Sequence, residues 1–171
     1  TIIWIIIGLI LFPVILIYKA PYGRHSTKKW GKTISNKTGW IIMELPALLI
    51  CPLFYLVNTT NLFTLNSVFI LLWITHYFNR TVLYPLKIKT KGKKMPLIIA
   101  LSAIFFNIIN GFINGYFLSV TSYENINLIL FSFGILFFIS GLIINIKSDN
   151  KLISLRTVSY THLRAHETFA N

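Results

Sequence analysis

GWIIMELPALLICPLFYLV, residues Gly39 to Val57, decides how the chain must be read. Its nineteen residues are apolar almost throughout, and a helix of that length crosses the hydrocarbon core of a bilayer. One carboxylate, Glu44, stands inside the run. An acid there is costly unless it is paired, protonated or turned toward a polar cavity, which marks Glu44 as a functional candidate. Pro46, two positions on, removes a backbone donor and leaves groups near the acid in need of partners. The neighbouring segments have to explain why Glu44 is tolerated.

Four more apolar runs flank this one. Ile2–Ile17 precedes it, and Leu62–Tyr84, Leu97–Leu118 and Asn127–Ile146 follow, so five membrane spans are expected in an all-α, polytopic helix bundle. Pro13 predicts a kink in the first. That first run has neither a basic region before it nor a small-residue cleavage site after it, which argues against a signal peptide. The loops after spans one, three and five carry nearly all the lysines and arginines, and those after two and four carry none. By the positive-inside rule the basic loops face the cytoplasm and Thr1 lies outside.

The composition agrees. Of 171 residues, 55% are hydrophobic and only 12% charged, which excludes an ordinary soluble domain. Sixteen cations against four anions give a net charge of +12, and the loop topology accounts for this excess without any nucleic acid. The single cysteine, Cys51, sits in the apolar run, reads as a small buried hydrophobe and has no intrachain disulfide partner.

Three groups of residues bear on chemistry. Asn107, Asn110, Gly111, Asn114 and Gly115 recur at helical spacing and are expected on one face of span four. Helix packing through small residues and amides explains them as well as a polar cavity wall does. His76, Tyr77, Asn79, Arg80 and Tyr84 crowd the cytoplasmic end of span three, more than an aromatic belt and a snorkelling arginine require. A tyrosine beside a membrane carboxylate suits donation to a carbonyl oxygen. Asn145 and Asp149 share a face if span five continues as a helix. Asp149 reads first as a solvated ion pair, second as an acceptor for a ribose or an amide. There is no GxGxxG and no P-loop. His162 and His166 are four apart but HLRAHE is not HExxH, so no metal site is expected.

Five segments taken in order carry a resemblance: KAPYGR (Lys19–Arg24), ELPA (Glu44–Ala47), HYFNRT (His76–Thr81), NGFINGYFL (Asn110–Leu118), and GLIINIKSD with LR (Gly141–Asp149, Leu155–Arg156). Over roughly residues 2–156 the chain resembles the steroid 5-alpha-reductase family, membrane enzymes that reduce the 4,5 double bond of 3-oxo-4-ene steroids with NADPH. The resemblance implies a bundle of seven membrane helices, five of them present here. It assigns Glu44 and Tyr77 as the pair that polarises the 3-oxo group while hydride reaches C5. It places Asn145, Ser148, Asp149 and Arg156 near NADPH, and Arg80, Asn110 and Asn114 along the same cavity. A steroid or other lipid enone and the membrane lipid are the implied partners, with no metal. Met43 stands where the family often has Gln, and Lys147 where it often has His.

TVSYTHLRAHETFAN, residues 157–171, loses the apolar character and resembles translated vector sequence. The expectation is a reductase cut short after Arg156, inactive by itself, in a bacterial plasma membrane or an endoplasmic reticulum. An enoyl-thioester reductase of the same superfamily and a non-catalytic membrane protein are the alternatives.

Overall fold

The computed structural model describes residues 2–17, 30–90, 92–121 and 126–168, with side chains beyond Leu155 outside that description. Helices α1 (Ile2–Ile17), α2 (Asn36–Asn58), α3 (Leu65–Phe78), α4 (Tyr84–Lys87), α5 (Leu97–Val120) and α6 (Leu128–Thr168) make up most of it. The KAPYGR segment falls outside the described residues.

The apolar runs become helices at nearly the expected places, and capping side chains set several boundaries. Ser35 starts α2, its hydroxyl accepting the backbone N–H of Thr38 at 3.2 Å. Asn127 starts α6, accepting from the N–H groups of Ile129 and Leu130 at 3.0 and 3.2 Å. The third run starts later than Leu62, because the turn Asn61–Thr64 is folded around the side chain of Asn61, which accepts the Phe63 N–H. It then continues past Tyr84: a π-helical turn, Asn79–Leu83, joins α3 directly to α4. α6 likewise runs on beyond Ile146, so Asn145 and Asp149 do share one helix.

Among the described residues three helices are long and apolar enough to cross a membrane: Asn36–Asn58, Leu97–Val120 and Leu128–Leu155. α1 has 16 residues and α3 has 14, the latter extended by the π turn and α4. Ile10 and Phe12 of α1, Leu101 and Phe105 of α5, and Leu130 and Phe137 of α6 point outward, as a lipid-facing surface requires.

One element departs from the all-helical expectation. Thr33–Ser35 (β1) pairs antiparallel with Lys94–Pro96 (β2), Ile34 opposite Met95. Gly31 and Gly92, at φ of 79° and 74°, make the left-handed turns that lead into the two strands. Ile34 and Met95 pack on Met43 and Ala100, so the basic loops are stitched together beneath the ends of α2 and α5.

α2 and α5 form the principal helix pair. On α2 every fourth residue is buried: Gly39, Met43, Ala47, Cys51, Tyr55. On α5 the buried row is Ala100, Asn107, Gly111, Gly115. Small residues bring the backbones together where no hydrophobic drive separates helix from lipid. A Cβ on Gly115 would stand 2.5 Å from the Cys51 carbonyl oxygen, and one on Gly111 3.1 Å from Ile50 Cβ. Further out, Asn66 of α3 donates to the carbonyls of Leu118 and Thr121 at 2.6 and 2.5 Å, closing the C-terminal end of α5. Tyr55 hydrogen-bonds Thr64 and Ser67 at 3.1 and 2.8 Å, fixing the α2–α3 turn.

The close contact has a direct consequence. Gly115→Ala should destabilise the fold by about 1–3 kcal/mol through overpacking, whereas Gly8→Ala, with nothing within 4 Å, should not. Cys51 is fully buried and is the chain's one cysteine, so thermal unfolding can be followed by its reaction with a thiol dye. Equal midpoints for the two variants would contradict this packing.

Candidate active site

The site lies where α2, α3, the π turn, α5 and α6 converge. Apolar clusters bracket it along α2: Met43, Met95 and Ala100 on one side, Cys51, Tyr55 and Ile70 on the other. Between them stands Glu44, its carboxylate meeting Arg80 Nη2 at 3.2 Å. The second arm of the same guanidinium, Nη1, reaches Asp149 Oδ2 of α6 at 3.5 Å. The three side chains are only 13–17% exposed. Arg80 also lies over two rings, its Cζ 4.3 Å from the Trp40 centroid and 5.2 Å from that of Tyr84. Trp40 and Tyr84 meet edge to face at 5.0 Å.

Arg80 belongs to the π turn. Within it Asn79 and Thr81 are buried and Arg80 half-buried. Single π turns inside helices often occur at functional sites.

Pro46 cannot donate to the carbonyl four residues back and crowds the ladder beside it. Asn107 of α5 reaches the adjoining turn. Its amide donates to the carbonyl of Met43 at 2.5 Å and to Glu44 Oε2 at 3.5 Å. Trp73 Nε1 of α3 donates to the Ala47 carbonyl at 2.8 Å. Carbonyls flanking the helix breaker, and the acid itself, thus receive donors from neighbouring helices.

The polar residues of α5 divide into two rows instead of the one face expected. Asn107, Gly111 and Gly115 press against α2, whereas Asn110 and Asn114 turn toward α3. Asn114 donates to the backbone and side-chain oxygens of Asn110 at 2.8 and 3.0 Å, and Asn110 donates to the Tyr77 hydroxyl at 3.2 Å. Packing and cavity lining, equally plausible from spacing, each occupy one row.

Tyr77 and Glu44 share no hydrogen bond; Tyr77 lies against Trp73 and His76, ring centroids 4.7 and 5.1 Å away. Those two neighbours line separate cavities. One, of about 280 Å³, is bounded by Phe69, Leu72, Trp73, Asn114, Phe117, Leu118 and Phe138. The other, of about 300 Å³, is bounded by His76, Phe137, Phe138, Gly141, Leu142 and Asn145. Phe138 borders both, and each is close to the lower size limit for small-molecule sites.

Of the residues expected near a cofactor, Asn145 and Asp149 face the site, Ser148 is exposed, and the Arg156 side chain lies outside the description. Asn145 Oδ1 is buried without a hydrogen-bond partner. Among the described residues no three metal-ligating side chains cluster, and the side chains of His162 and His166 are outside them. Sequence reasoning missed Trp40, which carried no signal beyond apolarity. It placed Asn107 on the polar face without assigning it to the site.

The fold and site define a helical protein with membrane-length helices and a partly buried acid–arginine–tyrosine constellation. A family model described as 3-oxo-5-alpha-steroid 4-dehydrogenase matches residues 93–167. The chain is 36% identical over 147 residues to steroid 5-alpha-reductase DET2 of Gossypium hirsutum, covering 81% of this chain and 56% of that protein. Identity to the Arabidopsis thaliana DET2 is 35%, with the same shares covered. Identity to 3-oxo-5-alpha-steroid 4-dehydrogenase 2 of Rattus norvegicus is 33% over 146 residues, covering 80% and 56%. The resemblance read from the motifs is borne out: the chain aligns with the steroid 5-alpha-reductase family over about 80% of its length. It spans a little over half the length of the curated relatives it matches.

Asn107→Leu should destabilise the protein by about 1–3 kcal/mol, since it removes the donor shared by the Met43 carbonyl and one partly buried Glu44 oxygen. The Cys51 thiol assay reads it; an unchanged midpoint would show that these groups find other partners.

Proposed function

We propose that this chain carries the carbonyl-polarising part of an NADPH-dependent reductase that saturates the 4,5 double bond of a 3-oxo-4-ene steroid. The observation that supports this most is the state of Tyr77. Its oxygen accepts the Asn110 amide, so its own hydrogen is left for a ligand. The names of the relatives, steroid 5-alpha-reductase and 3-oxo-5-alpha-steroid 4-dehydrogenase, point to the same substrate class.

Saturating an enone adds hydride at C5 and a proton at C4. As hydride arrives, the double-bond electrons shift and negative charge builds on the carbonyl oxygen. A donor already aimed at that oxygen stabilises the charge without reorganising. Tyr77 is that donor. Glu44, engaged by Arg80 and Asn107, offers acceptor capacity only, and contributes by holding those two donors in place beside the site. Trp73, Phe69, Leu72 and Phe138 supply apolar walls of the kind a sterol ring system packs against.

NADPH would supply the hydride. The residues present fit it: the orphaned Asn145 Oδ1 is an acceptor for an amide or hydroxyl donor, both of which NADPH carries. Asn145, Ser148 and Asp149 of α6, with Arg156 beyond, would hold it. The five apolar runs belong in this reading to a bundle of seven membrane helices, with the basic loops on the cytoplasmic side.

Turnover of a 4-ene-3-oxo steroid by the full-length protein tests the reading. Tyr77→Phe should lower kcat by about 10²- to 10³-fold, and Glu44→Gln should also lower it strongly. Full activity in both variants would refute their roles. Saturation of an enoyl thioester in place of the steroid would favour an acyl reductase, and no turnover of either would favour a non-catalytic protein.

A further inference from the structure

We infer that Arg80 is the positioning residue that ties α6 to α2, fixing where the Asn145–Asp149 face stands relative to Glu44. Both ion pairs found among the described residues use this one guanidinium, one arm to each helix. Elsewhere α6 meets α3 through rings: Phe69 and Phe131 lie edge to face, centroids 5.6 Å apart. Between that contact and Asp149 lie the two cavities, bordered by Phe138 on α6. The polar fork is therefore the anchor of α6 on the far side of the hollow region.

The chemistry of the fork is specific. Two carboxylates from different helices repel one another, and a single cation must satisfy both. Guanidinium does this because its donors are planar and point in two directions, while its faces remain free for aromatic stacking. Trp40 on α2 and Tyr84 on α4, themselves in contact, lie together on one side of it, so Arg80 is held by rings as well as at its tips. An ammonium in the same place presents a point charge with no flat face and no fork. Arg80 itself touches neither substrate nor hydride in this assignment; held by Glu44, it acts through the position of Asp149.

The test reads helix position directly. Lys87 and Asn150 are exposed and border the same small crevice between α4 and α6, alongside Asp149. Lys87→Cys with Asn150→Cys, in membranes, should be joined by a short bis-thiol reagent. The yield should fall at least about fivefold when Arg80→Lys or Asp149→Asn is added. Arg80→Gln should lower it further. If Arg80→Gln exposes Cys51 and so fails to fold, Arg80→Lys and Asp149→Asn still decide. Undiminished cross-linking in both overturns the assignment.

A second readout rests on the reductase reading. In the full-length protein Arg80→Lys should raise KM for NADPH about tenfold and leave KM for the steroid unchanged. Unchanged KM for both, with unchanged cross-linking, overturns the role. If the parent reduces no steroid while cross-linking still depends on Arg80, the reductase reading fails and the positioning role stands.

Discussion

A carboxylate in the middle of an apolar helix sets the terms for everything around it. Insertion scales put a charge at the centre of a membrane helix at about 2.5–3.5 kcal/mol, and stripping a partner from a buried pair costs about 3–5 kcal/mol. Glu44 is tolerated because Arg80 and Asn107 are both delivered to it. Arg80 comes from the π turn and rests against the touching rings of Trp40 and Tyr84. Asn107 arrives by another route, the close approach of α5 that Gly111 and Gly115 permit. The acid therefore accounts for the placement of two other helices.

Pro46 and Gly115 illustrate how packing and polarity are coupled here. Pro46 loosens the backbone next to the acid, and Asn107 and Trp73 donate to nearby carbonyls from opposite sides. These donations need short helix-to-helix distances, which small side chains provide. The rigid framework then ends at the α3–α6 boundary, where about 280 and 300 Å³ of cavity replace tight packing.

The helices were legible in the sequence because length and apolarity are local properties. Leu97–Leu118 anticipated α5 almost to its ends, and Gly39–Val57 nearly spans α2. Glu44, Tyr77 and the Asn110–Asn114 row stood out for the same local reason, polar groups in apolar runs. What could not be read were pairings between distant segments. Nothing in HYFNRT says that Arg80 meets two acids instead of snorkelling to the interface. Nothing in a basic loop says that Lys94–Pro96 will pair with Thr33–Ser35. The division of the α5 polar face into two rows depended on where α2 and α3 would lie, which spacing within one helix does not encode.

The line from Asn114 through Asn110 to Tyr77 has a direction, each amide lending a hydrogen to the next oxygen. Primary amides lend hydrogens without surrendering them, so this line is a brace and not a proton wire. A phenol at the end of such a brace has no route along it for replacing a lost proton. Any proton lost from Tyr77 must return by a path other than this line of amides, through solvent or through a bound ligand.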